Sequence, residues 1–378
     1  MRAFLHVSRT GVLTTCLWIV AALIQTGEVS LTKWAKYIPC RGHYAQSRQR
    51  RIRRWLGNPR INVHRLYKPI IQAALANWTD DCLYLSLDTT QYWDEYCLIR
   101  LAVVHRGRAL PLAWRVLKHQ SATVAFGEYH EMLVHAARCL PQGVKVILLA
   151  DRGFIHTDAM SAMRRLGWHY RIRLKSNSWL WRSTGGGWIQ PKSVHLDRGE
   201  VRCLHNVKLH KQQWYGPVHV IFGRNNLNGE LWVVVSNEPT TLQTFREYGL
   251  RFDIEELFKD EQTSGWNLQK SEIRALCDLS RLCFILALAT LYVTAQGVAV
   301  VEQGKRRWVD THWFRGNSYF RIGLDWVQAA LLDGWQLIKR VLFCSNRDAD
   351  PAMASRKQHE RRSYQLEFQV FTAQFSPD

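Results

Sequence analysis

The sequence predicts an α/β fold, on three observations. From residue 81 the apolar patterning runs strand, strand, strand, helix, strand, helix, strand. A helical module precedes this stretch, and a β-rich segment with a Gly-Gly-Gly run interrupts the alternation at residues 175–239. Beyond it, residues 248–262 carry apolar side chains at helical spacing with acids and amides on the other side. Short apolar runs alternating with helices are the pattern of a sheet covered by helices.

Taken in order, residues 1–80 read as four helices. Thr14 or Thr15 can cap a first one that Gly27 ends, Ser30 a second, and Ser47 a third in which Ile52, Trp55 and Leu56 repeat at helical spacing. Residues 63–78 make a fourth, and Trp34, Tyr44 and Trp55 read as core. From Val29 to Thr79 there is no acidic residue, while eleven lysines and arginines, Arg50, Arg51, Arg53 and Arg54 among them, supply a phosphate-binding surface. Helices joined by short turns and charged in this way resemble helix-turn-helix readers of the major groove. The whole chain carries a formal charge of +20, which points to a polyanion, most commonly nucleic acid.

The strands are expected at residues 82–88, 95–104, 109–114, 144–151 and 168–174, with helices at 124–139 and 158–166. Three meandering strands followed by alternating helix and strand is the order of a ribonuclease-H-like core, in which the first and fourth strands are neighbours. Asp88 and Asp151 end those two strands, 63 residues apart in sequence and side by side in such a fold. A carboxylate closing a buried strand is costly unless a charge meets it. In residues 248–262, read as one helix at about 100° per residue, Tyr248, Arg251, Glu255 and Gln262 fall within about 60° of one another, opposite Leu250, Ile254, Leu257 and Phe258. Two aspartates and a helical glutamate supply enough oxygen ligands for a pair of divalent metals.

Tyr248, two residues, Arg251, three residues, Glu255 resembles the Y-R-E-K signature of bacterial insertion-sequence transposases of the DDE type. Leu87-Asp88-Thr-Thr and Ala150-Asp151-Arg-Gly-Phe are similar to that family's two aspartate motifs, and the likeness extends over roughly residues 80–330. The resemblance implies a cut-and-paste enzyme that binds the terminal inverted repeats of its own element, cleaves them and joins them to target DNA, with excision through a hairpin. It implies two Mg²⁺ ions, for which Mn²⁺ can substitute, held by Asp88, Asp151 and Glu255, and a homodimer bridging two DNA ends. It also implies that Trp232, in Leu231-Trp232-Val-Val-Val-Ser, holds a flipped base, and that Tyr248 and Arg251 contact the nearby phosphate. Gln262 stands where the signature has lysine, and without that charge its phosphate contact is weaker and less salt-dependent.

The implied organisation is a helical DNA-binding domain (1–80), a ribonuclease-H-like core in two parts (81–174 and 240–300), a β-strand insertion (175–239) and a helical, basic extension (301–378). Within the insertion, Asn228-Gly229 between two apolar runs signals a hairpin. Helices are expected at residues 271–296 and 324–343, and Lys305, Arg306, Arg307, Arg315 and Arg321 can line a DNA path. Nine cysteines without a Cys-x-x-Cys pair fit reduced thiols in a cytosolic protein and give no zinc set, and the resemblance implies a bacterial cytoplasm, on the nucleoid. The apolar runs at 16–24 and 282–301 read as core helices, not membrane spans. Two rival functions share these residues: a catalytically inactive DNA-binding repressor derived from a transposase, and a metal-dependent nuclease of the same fold.

Overall fold

The computed structural model describes residues 10–350, apart from 183–185, 213, 314–315 and 349. Arg315 and the basic tail beyond residue 350 therefore lie outside the described residues. Four helices open the chain: α1 (Thr10–Thr26), α2 (Leu31–Ala35), α3 (Ala45–Leu56) and α4 (Val63–Leu75). Ser30 Oγ caps α2 by accepting from Lys33 N at 3.3 Å, as its position predicts, and Asn62 caps α4 by accepting from Arg65 N at 3.0 Å. Ser47 is not a cap: α3 begins two residues earlier, behind Tyr44, which is 79% exposed and no part of the core.

Ten strands form one sheet: β1 (Cys82–Tyr92), β2 (Tyr96–His105), β3 (Arg108–Lys118), β4 (Lys145–Ala150), β5 (His169–Arg173), β6 (Leu180–Arg182), β7 (Gly187–Ile189), β8 (Val201–Leu209), β9 (Tyr215–Arg224) and β10 (Leu231–Ser236). Their spatial order is β3-β2-β1-β4-β5-β10-β9-β8-β6-β7. β1, β4 and β5 run parallel in the middle, with antiparallel strands on both sides. The largely apolar β2, buried throughout, and β4, buried from Val146 to Ala150, are what a sheet covered on both faces requires. The β-rich segment is joined to the central strands, because β10 pairs with β5 from Val234↔Arg173 to Ser236↔Arg171. Its Asn-Gly hairpin exists, but the β9–β10 connection is a six-residue loop, 225–230, closed by Asn225 N donating to Glu230 O at 2.9 Å.

The crossing helices are α5 (His130–Ala137) and α6 (Thr157–Arg165), followed later by α7 (Leu242–Gly249), α8 (Asp253–Lys259), α9 (Leu276–Glu302) and α10 (Tyr319–Asp333). α10 stops at Gly334, short of the 324–343 expectation, because Gly334 turns left-handed at φ 70°. α9 is long and apolar enough to cross a bilayer, and 83% of its most apolar window is buried inside the protein. The opening helices pack on it: the Trp55 ring stacks on Phe284 at 6.4 Å, and Arg281 Nη1 donates to Leu56 O at 2.7 Å. One continuous apolar cluster thus runs from Cys16 in α1 to Phe343. All nine cysteines are free thiols.

α9 and α10 touch backbone to backbone at two glycines. A Cβ on Gly323 would lie 1.7 Å from Val293 O, and one on Gly297 1.9 Å from Tyr319 O. Backbone carbonyls cannot step aside, so Gly323→Ala is expected to cost ~3 kcal/mol or more, outweighing the ~1 kcal/mol that alanine ordinarily gains in a helix. Urea unfolding checks this; an unchanged midpoint would mean that the two helices separate freely.

His105 ends β2 between the rings of Trp78 and Phe343, 6.3 and 5.0 Å away. Burial, with Arg106 adding to it, pushes its imidazole down to about 3. The unfolded chain therefore takes up a proton near pH 6.5 that the folded chain refuses, and stability present above that pH is lost as pH falls toward 3. His64, pushed to about 4 chiefly by burial, acts in the same direction. Between pH 6.5 and 5 the wild type is expected to lose about 2 kcal/mol more than His105→Phe, by denaturant unfolding at each pH. Parallel pH profiles would refute it.

Candidate active site

β1 and β4 pair in parallel with Leu87 beside Ala150, so the residues that follow, Asp88 and Asp151, stand next to each other. Each is held by a backbone N–H: Thr89 N donates to Asp88 Oδ1 at 2.8 Å, and Gly153 N to Asp151 Oδ1 at 2.7 Å. Asp151 thereby caps the 3-10 turn Arg152–Phe154. A Cβ on Gly153 would lie 2.9 Å from that carboxylate oxygen, so a side chain here would press on the aspartate.

The third carboxylate comes from α8. The expected single helix is a helical path in four pieces: α7, a 3-10 turn at Leu250–Phe252, α8, and a π turn at Asp260–Ser264. Ser86 Oγ, on β1, donates to Arg251 O at 3.0 Å and ties the 3-10 turn to the strand. From there the Arg251 guanidinium reaches Asp88 Oδ2 through Nη1 at 2.9 Å and Glu255 Oε1 through Nη2 at 3.1 Å. Burial pushes the Asp88 carboxyl up to about 6; Arg251 and the Thr89 N–H pull it down, while Asp151 and Glu255 push it further up. Asp88 therefore feels both of the other carboxylates.

They do not stand at metal-ligand spacing: among the described residues no three His, Cys, Asp or Glu side chains do. The expected convergence on two ions is replaced by Arg251, whose single positive charge bridges two of the carboxylates. The donor set itself, hard carboxylate oxygen on adjacent strand ends and a helix, has the chemistry that Mg²⁺ takes.

The other expected site residues fall in three places. Tyr248 is buried, not on a polar face, because α7 ends one residue after it and the 3-10 turn resets the phase; its phenol is raised by burial and pulled down by Arg251. Trp232, 6% exposed, packs edge-on against Tyr248 at 5.8 Å, with the Arg173 guanidinium 5.3 Å from its ring centroid. It offers no open face to a base. Gln262 is half-buried in the π turn, donating to Thr90 Oγ1 at 2.8 Å and accepting from Gln269 Nε2 at 3.1 Å. Of the arginines on α3, Arg50, Arg53 and Arg54 are exposed. Arg51 turns inward, donating through Nη2 to Thr15 Oγ1 at 2.9 Å and so fastening α3 to α1.

Sequence reasoning missed the residues that hold the α7–α8 path on the sheet. Arg100, on β2, stands directly across from Asp88, and its Nη2 donates to both Glu261 oxygens at 2.7 Å. Both side chains are 0% exposed. Arg171, on β5, binds Glu247 Oε2 at 2.6 Å and Glu238 Oε2 at 2.9 Å. Arg108, on β3, reaches Glu256 at 3.5 Å and Asp260 at 3.2 Å. A charged residue inside a strand as apolar as β2 is the one local signal that was available.

Residues 94–292, more than half of the 378-residue chain, match the transposase DDE domain family. The chain belongs to this family. Asp151 and Glu255 lie inside the matched segment and Asp88 six residues before it. Members are DNA-cleaving enzymes that use divalent metal ions. No curated protein matches the sequence. Among solved structures, a cryo-EM structure of a piggyBac transposase synaptic complex with hairpin DNA is similar with a TM-score of 0.42 and 9% identity, covering 85% of this chain and 71% of that one.

The buried pair in this DDE chain gives a direct test. Glu261→Leu leaves Arg100 charged and buried without its partner and is expected to cost ~3–5 kcal/mol, whereas Arg100→Met with Glu261→Leu restores most of that. A double-mutant cycle by chemical denaturation measures the coupling. Additive losses would show that each charge is solvated independently.

Proposed function

We propose that this transposase binds the terminal inverted repeats of an insertion sequence and excises it by cut-and-paste cleavage, through a hairpin, followed by strand transfer to target DNA. The observation that carries this reading is the placing of Asp88 and Asp151 at the ends of two adjacent parallel strands, with Arg251 joining Asp88 to Glu255 of the helical path. In it Asp88, Asp151 and Glu255 hold two Mg²⁺ ions, or Mn²⁺ in their place. Bound metal supplies charge stabilisation for an in-line displacement at a phosphodiester. Asp151 is kept in place by Gly153 N, while Arg251 positions Asp88 and Glu255 and neutralises part of their charge until DNA arrives.

In this reading residues 81–174 and 240–300 form a ribonuclease-H-like core, residues 175–239 its β insertion, and residues 1–80 an all-α DNA-binding domain. The exposed Arg50, Arg53 and Arg54 of α3 meet phosphates, together with the Gln262 amide. Arg251 and Tyr248 shape the site from beneath. Two ends cut together require a homodimer.

Cleavage of a supercoiled plasmid carrying the DNA that flanks this gene, with Mg²⁺ against chelator, tests the proposal. Double-strand release at the ends is expected with Mg²⁺ alone, and Glu255→Gln is expected to lower it by roughly 10³-fold. Specific binding without cleavage by the native chain would sink the enzymatic reading and leave a DNA-binding repressor. Cleavage without joining of pre-cut ends would leave a nuclease.

A further inference from the structure

Four tryptophans and two lysines share one face at the free edge of the sheet. Leu180 is fully buried, so its neighbours Trp179 and Trp181 in the same extended segment point to the opposite face. Trp181 stands directly across from Trp188 on β7 and from Lys208 on β8, which places the three in one cross-strand row. The Trp181 and Trp188 rings meet at 5.5 Å. Lys208 Nζ lies 4.2 Å from the Trp214 ring centroid, and Lys211 Nζ 3.5 Å from that of Trp179. Trp214 is 64% exposed and both lysines are exposed.

Charge on this part of the chain is one-sided. Residues 175–224 hold eight lysines and arginines against two acids, Asp197 and Glu200. Both acids precede β8, at the far end of that strand from Lys208, and Glu200 is tied to Arg202 at 2.9 Å. The exposed Trp214 and the half-buried Trp179 each already carry an ammonium group over the ring, and beside them the half-buried Trp181 and Trp188 extend the aromatic row. This is the chemistry of a stacking platform, since the same π face takes a cation or a nucleobase. Bases within a duplex are stacked on one another and cannot use such faces; unpaired bases can.

We propose that this face binds an unpaired DNA strand, with bases on Trp181, Trp188 and Trp214 and phosphates on Lys208 and Lys211. It rests on the reading of the chain as an enzyme acting on DNA ends. When a base takes the Trp214 face, Lys208 swings off the ring and its ammonium goes to the adjacent phosphate.

The test uses the full chain with chelator present, a fluorescein-labelled 15-nucleotide dT strand, and an end-sequence duplex as the second probe, both read by anisotropy. Trp181→Ala and Trp214→Ala are each expected to weaken single-strand binding about tenfold and leave duplex binding unchanged, while Trp214→Tyr keeps most of the affinity. Lys208→Gln is expected to lower the salt slope for the single strand by about 0.7. Single-strand affinity unaltered in both alanine variants overturns the proposal, as does an equal loss on strand and duplex. A dimer seen by sedimentation that dissociates in Trp214→Ala, with strand binding unchanged, also overturns it and gives the face to a second copy. Because no metal, cleavage or end sequence enters the strand measurement, a failed cleavage assay leaves this result standing, and the reverse holds too.

Discussion

Arg100 and Glu261 meet with no exposure to solvent, under the Trp114 ring 5.5 Å from the guanidinium. Removing two charges from water costs several kcal/mol per ion, so the pair survives only where contact is close and the partner is in place. That requirement makes it a positional constraint. Arg100 is fixed by β2 opposite Asp88, and Glu261 by the π turn six residues after Glu255. The end of the glutamate's helical path therefore cannot slide along the sheet without breaking a buried ion pair.

The same logic repeats along that path. Residues 247–261 carry six acids, Glu247, Asp253, Glu255, Glu256, Asp260 and Glu261. Arginines from three different strands meet four of them: Arg171 of β5 on Glu247, Arg108 of β3 on Glu256 and Asp260, Arg100 of β2 on Glu261. These strands span the sheet from β3 to β5, with Asp88 and Asp151 between them. The path is docked electrostatically across the strands, and its apolar residues Ile254 and Leu257 are buried beneath. Glu255 differs, because its arginine comes from its own segment and is shared with Asp88.

Much of this was legible because the signals are local. Strand periodicity placed Asp88 and Asp151 at strand ends, and the parallel pairing of β1 with β4 follows from element order once a helix lies between them. Arg251 and Glu255, four residues apart, meet as helical spacing requires. What escaped depends on long-range contacts or on subtle backbone changes. The β5–β10 pairing that makes one ten-stranded sheet has no local signature. The 3-10 and π turns flanking α8 shift the helical phase, so a uniform wheel put Tyr248 on the wrong side. Arg51 reads as one more phosphate contact until α1 brings Thr15 to it. Trp232 and Trp214 look alike in sequence, and only the sheet shows one buried and the other open.

The charge balance at the site separates chemistry from docking. Asp88, Asp151 and Glu255 bring three negative charges, and Arg251 returns one, which leaves a deficit of two in a chain whose formal net charge is +20. Each of the four docking acids is met by an arginine from the sheet, Arg108 serving both Glu256 and Asp260, so their field is in large part cancelled. On the proposed function, a DNA phosphate arriving at Asp88, Asp151 and Glu255 would meet repulsion, and that repulsion would grow as burial lowers the local dielectric. The phosphate would come to rest there only with added positive charge, which bound dications would supply. Close approach of DNA at these carboxylates would thus be conditional on metal, while the basic surfaces attract it without one.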